Sequence, residues 1–138
     1  MKLSDNIFTS LSKNINVYIA LDSFRFEIDD KTITLKTYIY VKNENDELSI
    51  VSVGNEPEDK TNTERIDLFT GKSNINKYDV LVAFLKSAVA QLVNKRAMIR
   101  PTINCYGSKQ LNKILNGYEE GVLTRAFEEV GAMLVNIK

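Results

Sequence analysis

The sequence predicts a single mixed α/β domain. Three observations carry that: short stretches of strict apolar–polar alternation fill the first third, one long stripe at helical spacing follows, and shorter strand and helix signals then alternate. The 138 residues suit one domain, since domains commonly hold about 100–200. Hydrophobic residues make up 43% of the chain, enough for one core and against disorder.

The first strand is expected over residues 15–22, where apolar side chains alternate from Ile15 to Leu21. Phe24, Phe26 and Ile28 then share one face of a second strand, with Arg25 and Glu27 on the other. Asp29-Asp30-Lys31 supplies turn chemistry. Residues 32–41 are rich in Thr, Ile and Tyr and read as one strand, with Ile33, Leu35, Thr37, Ile39 and Val41 on one face. Asn43 to Asp46 forms a polar turn, and Leu48 to Val53 a further strand. These hairpin-connected strands predict an antiparallel meander. Residues 54–65 are charged and polar, contain Pro57 and read as a surface loop, before Ile66 to Phe69 return to the core.

Asn76 to about Lys95 is the strongest helical segment. Leu81, Leu85, Ala88 and Leu92 form its stripe, widened by Tyr78, Val82, Val89 and Val93. Ile99 to Tyr106 reads as a strand, with Pro101 near its start, where a missing N–H is best tolerated. Gly117 and Gly121 weaken the next helical pattern, so a firm helix is expected only from Glu119 to Val130, stopped by Gly131. Met133 to Ile137 reads as the last strand. The order of the main sheet and its helices is β-β-β-α-β-α-β, the meander adding one further strand before the first helix, with right-handed crossovers and parallel pairing in the second half. Residues 1–14 are expected to form an arm and 15–138 the domain; Ile7, Phe8 and Leu11 would make one weak amphipathic turn.

Composition excludes several chemistries. The chain has no histidine, which removes Ser–His and Cys–His nucleophile pairs and every His-containing metal site. The lone Cys105 cannot form an internal disulfide, and its strand-like surroundings predict a buried structural thiol. Acidic and basic residues cancel at 18 each, so no nucleic-acid partner is expected. No stretch approaches the ~20 apolar residues of a membrane span, and the expected location is cytoplasmic. The pairs Asp29-Asp30, Glu119-Glu120 and Glu128-Glu129 read as solvated faces, because adjacent carboxylates on a helix or strand point in different directions.

Order and spacing carry a family resemblance. Ile66-Asp67-Leu68-Phe69-Thr70-Gly71 followed by Tyr78 to Leu85 resembles the entry to the first long helix of the actin-like ATPase MreB family. Arg100-Pro101-Thr102-Ile103-Asn104-Cys105 is similar to that family's next strand, and Glu119 to Ala132 to its second helix, which ends in Gly-Ala. The resemblance implies a ribonuclease-H-like, actin-like half-domain. It also implies phosphate-contacting positions: Asp22 would keep the acidic place in the family's Asp-Leu-Gly-Thr loop, and Glu119 that of its water-orienting glutamate. Here the loop reads Ala20-Leu21-Asp22-Ser23-Phe24, without glycine, and the stretch from Cys105 to Glu119 is longer than the family's. Residues 54–65 stand where the family inserts a small subdomain, and only a linker is expected there. The family's second half has no counterpart.

The resulting expectation is a non-catalytic actin-like structural or interaction module with no cofactor, no metal and no independent ATPase activity. It would associate with itself or with a cytoskeletal or cell-shape protein. The edge strands Leu48–Val53 and Met133–Ile137 are the candidate contacts. The alternatives are a ribonuclease-H-like nucleotide-binding or metal-dependent nuclease domain, which would gather acids around Asp22, and an unrelated α/β protein with a small-ligand pocket.

Overall fold

A computed structural model of the chain describes residues 14–69, 76–92, 101–108 and 119–138; the side chains of Glu119 and Glu120 fall outside this set. The expected helical turn within residues 1–13 and the weakened pattern at 109–118 also lie outside the described residues. Among the described residues, eight strands form two sheets. The larger sheet holds β1 (Asn14–Ile19), β2 (Ser23–Ile28), β3 (Lys31–Lys36), β7 (Thr102–Tyr106) and β8 (Leu134–Ile137), in the order β3-β2-β1-β7-β8. β1, β2 and β3 pair antiparallel; β7 joins β1 in parallel, and β8 joins β7 in parallel. The smaller sheet holds β4 (Tyr38–Glu44), β5 (Glu47–Val53) and β6 (Thr63–Asp67), in the order β5-β4-β6, all antiparallel. Two helices are described, α1 (Lys77–Leu92) and α2 (Glu119–Glu129). The main sheet and its helices keep the β-β-β-α-β-α-β order, with the small sheet inserted between β3 and α1.

The expected meander is therefore split. Residues 32–41, which alternate without interruption, are cut at Thr37 into strands of different sheets. Alternation survives the cut, because Leu35, Thr37, Ile39 and Val41 are all buried. What breaks the strand is hydrogen bonding. The Thr37 amide donates to Asp22 O (3.2 Å) and its hydroxyl to Leu21 O (2.8 Å), while its carbonyl accepts from the Leu68 amide (3.0 Å). Gly54 wedges beside it, donating to Tyr38 O (2.8 Å) and accepting from the Lys36 amide (3.2 Å). With φ +70 and a hypothetical Cβ only 2.5 Å from Leu35 Cβ, no larger residue fits there.

The linker expected at 54–65 also ends early, since β6 begins at Thr63 and pairs with β4. Its first three residues are partly or fully exposed, so periodicity gave no sign of a strand; the pairing comes from β4. The turn at Asn45-Asp46 is a two-residue hairpin with both residues at positive φ (55° and 64°), the arrangement that matches strand twist.

α1 starts at Asn76, whose side-chain oxygen accepts from the Tyr78 amide (2.8 Å). It buries Val80, Leu81, Phe84, Leu85, Ala88 and Leu92, a stripe turned toward Phe84 and away from Tyr78, Val82 and Val89, which are half-buried. Phe84 sets that rotation by meeting Phe24 edge-on (5.5 Å) and Phe26 at 6.3 Å. At the other end, the Lys31 ammonium donates to Gln91 O (2.6 Å), satisfying a carbonyl of the last turn. α2 ends in a Schellman motif: Gly131 has φ +100, and the Ala132 amide donates to Phe127 O (3.0 Å). Cys105 is fully buried, as expected of a structural thiol, and burial pushes its ionisation up to about 12. Among the described residues no helix is long and apolar enough to cross a membrane.

Candidate functional site

In open α/β sheets, ligands collect at the carboxyl ends of the parallel strands. Here that end holds the β1–β2 turn, Ala20 to Ser23, beside Gly107 and Ser108 after β7. The backbone of the turn is held by hydrogen bonds, although Leu21 and Asp22 are exposed. Ser23 O accepts from the Ala20 amide (3.0 Å), and Thr37 takes up the carbonyls of Leu21 and Asp22. None of Ala20 to Ser23 has positive φ, so the turn does not build the concave run of N–H groups that cradles a phosphate; Gly107 beside it does have φ +87. Asp22 is exposed, and its carboxylate receives a long contact from the Ser23 hydroxyl (3.5 Å). Gly107 presses on β1, with its hypothetical Cβ 2.5 Å from Ile19 O, and Ser108 is buried. Glu119 opens α2, where an acid complements the helix dipole, but its side chain lies outside the described residues. Among the described residues no three acids or cysteines gather into a metal-holding group.

A second surface is the face of the main sheet turned away from the buried core residues. Register stacks Asn16 beside Asn104 and Asn104 beside Asn136. The Asn104 amide donates to Asn16 (3.3 Å), and the Asn136 amide donates to Asn104 (3.0 Å). One row along, Tyr18 stacks on Tyr106 at 5.1 Å, and the Arg25 guanidinium lies 4.3 Å over the Tyr18 ring while pairing with Glu27 (3.1 Å). The face is polar but internally satisfied, with these side chains bonding across strands. It went unread in the sequence, although Asn16-Val17-Tyr18 and Asn104-Cys105-Tyr106 carry the same Asn-x-Tyr pattern on two strands.

A third surface is apolar. On β5, Leu48, Ile50 and Val51 are 54%, 50% and 41% exposed. Leu48 and Ile50 form one wall of a groove whose other wall is α1 at Asp79, Val80 and Ala83. The groove continues along the helix past Val82 to Ala90, with a cavity volume of ≈ 450 Å³. Exposed large apolar residues clustered beside a groove mark a contact site more often than scattered ones do.

No family model and no curated protein matches this sequence. Solved structures do. The crystal structure of MreB5 of Spiroplasma citri bound to ADP superposes with a TM-score of 0.62 over 94% of this chain, at 12% sequence identity. The form of the same protein bound to AMPPNP gives 0.62 over 92%, at 11% identity. The fold is actin-like. In both comparisons the chain spans 38% of the length of the MreB5 chain. The likeness in fold covers nearly the whole chain, in keeping with a resemblance that spans residues 15–138 with its motifs in residues 66–138.

Within this actin-like frame, the two residues carried over from the family resemblance stand on separate elements, Asp22 in the β1–β2 turn and Glu119 at the start of α2. What sequence reasoning did locate is the β5 edge: Leu48 to Val53 does border the fold, although in the small sheet and not across the main sheet from β8.

Proposed function

We propose that this chain is a non-catalytic actin-like module that works through protein contacts in cell shape or filament assembly, and that it does not hydrolyse nucleotide by itself. One observation carries the reading. The turn in the place of a phosphate loop contains no glycine or left-handed residue, and its Ala20 amide is already bonded to Ser23 O. Phosphoryl transfer rests on donors positioned around the phosphates, and such a turn offers few. The MreB5 structures hold ADP and AMPPNP in a chain of which this one spans 38%. In this reading Asp22 is a turn aspartate, Glu119 a helix-start acid, and the protein works in the cytoplasm without nucleic acid. The exposed Leu48, Ile50 and Val51 favour association with a second copy or another cytoskeletal protein.

Isothermal titration calorimetry with Mg²⁺ and ATP, with light scattering on the same sample, tests this. The expected result is no binding heat together with a species larger than the monomer. Micromolar ATP binding would overturn the non-catalytic reading and point to a rebuilt nucleotide site.

A further inference from the structure

The two sheets have four edge strands among the described residues, and they are not protected alike. β3 carries Lys31 and Lys36 on its edge, both exposed. β6 carries Glu64, Arg65 and Asp67. β8 is four residues long and is followed by Lys138. Charge and shortness are the usual devices that keep an edge from pairing with another chain. β5 has less of either. It runs seven residues, Glu47 to Val53, with its one charge at the first position. From Leu48 to Val53, where the bulge at Val51 is the one irregularity, it carries no charge and no proline and its middle is exposed.

The hairpin fixes which of its backbone groups face out. Asn45-Asp46 is a two-residue turn, so Glu44 and Glu47 form the closing hydrogen-bonded pair, and Lys42 with Ser49 the next. Leu48 and Ile50 therefore turn their amides and carbonyls away from β4. Their side chains are the exposed ones, and both line the groove against α1.

We propose that β5 pairs antiparallel with β5 of a second copy about a two-fold axis at Ser49, joining the two small sheets into one. This surface rests on the associating role proposed above and names its contact. In that register Leu48 faces Ile50 of the second copy and Ile50 faces its Leu48, with about four backbone hydrogen bonds closing the pair. The match is self-complementary, as a two-fold interface requires. Charge selects the antiparallel sense. Glu47, the only charged residue of β5, then lies opposite Val51, whereas parallel pairing would set the two glutamates side by side. The apolar grooves along α1 flank the new strand pair and gain cover from it.

Three samples of the full chain test this by sedimentation velocity over a concentration series. The wild type is expected to be a dimer. Ile50→Lys is expected to raise the dimer dissociation constant by about a hundredfold with an unchanged circular dichroism spectrum. Ser49→Cys, whose Cα atoms would lie about 4.5 Å apart across the axis, is expected to form a reducible disulfide dimer in air; the buried Cys105 does not compete. If Ile50→Lys loses its fold, the Ser49→Cys cross-link alone decides. A wild-type dimer that is untouched by Ile50→Lys and gives no Ser49→Cys cross-link overturns the β5 contact while leaving association through another surface intact. A wild type that stays monomeric at the highest concentrations overturns both.

Discussion

The two sheets differ in how completely they are covered. The five-stranded sheet presses Ile15, Val17, Phe24, Phe26, Ile103 and Cys105, all fully buried, against the helices. Phe84 ties this layer to α1, and Leu123, Ala126 and Phe127 of α2 are buried as deeply. The three-stranded sheet joins the same core only through Ile39, Val41, Val53 and Ile66. Its outermost strand leaves Leu48, Ile50 and Val51 to solvent. A sheet of three strands needs an apolar face or a helix to pack on for stability, and here Ile39, Val41, Val53 and Ile66 supply that face. The large sheet spends its apolar residues on stability. The small one leaves part of its own exposed.

Substitutions can break that contrast at several strengths. Phe84→Ala removes the ring between α1 and the main sheet and is expected to cost about 3–5 kcal/mol, measured by urea unfolding. Val82→Ala, on the groove side of the same helix, should cost about 1 kcal/mol; equal costs would mean that the groove is as well packed as the core. Gly54→Ala strikes the joint between the sheets, where the added Cβ meets Leu35 and φ is +70. We expect about 3 kcal/mol from steric overlap and backbone strain together.

Alkaline titration separates the buried layer from the surface one. Cys105 ionises near 8.5 in the unfolded chain but is pushed up to about 12 in the fold by burial. The unfolded state therefore releases this proton first as pH rises. Its contribution is fully present below about pH 8.5 and falls by about 1.4 kcal/mol per pH unit on the way to about 12. Cys105→Ala should remove that part of the slope in denaturation series between pH 8 and 11; an unchanged slope would show that the thiol is not buried as described. The smallest expected effect is at Tyr78, whose shielded hydroxyl finds no hydrogen-bond partner among the described residues. Burial, and next the Glu129 carboxylate, raise its ionisation. Tyr78→Phe should leave the unfolding free energy measured in urea unchanged or raise it by about 1 kcal/mol at most.

Much of the fold was legible because local physics and tertiary packing agree there. The face of Phe24, Phe26 and Ile28 follows from period two, and the Gly131 stop from the left-handed conformation that a Schellman motif needs. The groups that joined across sequence were not legible. Thr63 to Arg65 gave no apolar signal yet form a strand, because β4 offers them an edge. The stripe on α1 turned toward Phe84 because two phenylalanines of β2 await it there. The candidate positions fared likewise. Resemblance pointed to Asp22, but that its turn is held by Thr37, the residue between β3 and β4, is visible only in three dimensions.

By itself the sequence determined the class of fold, the order of the main-sheet elements, the buried thiol and the absence of histidine chemistry. Each of these follows from side-chain type and short-range spacing. The tertiary structure alone decided that one alternating stretch serves two sheets, that the Asn-x-Tyr strands lie in register, and that β5 ends as an unguarded edge. The physical reason is that backbone hydrogen bonds across a sheet carry no side-chain signature. An uninterrupted alternation therefore says which face is buried, but not which strand lies alongside or where the sheet stops.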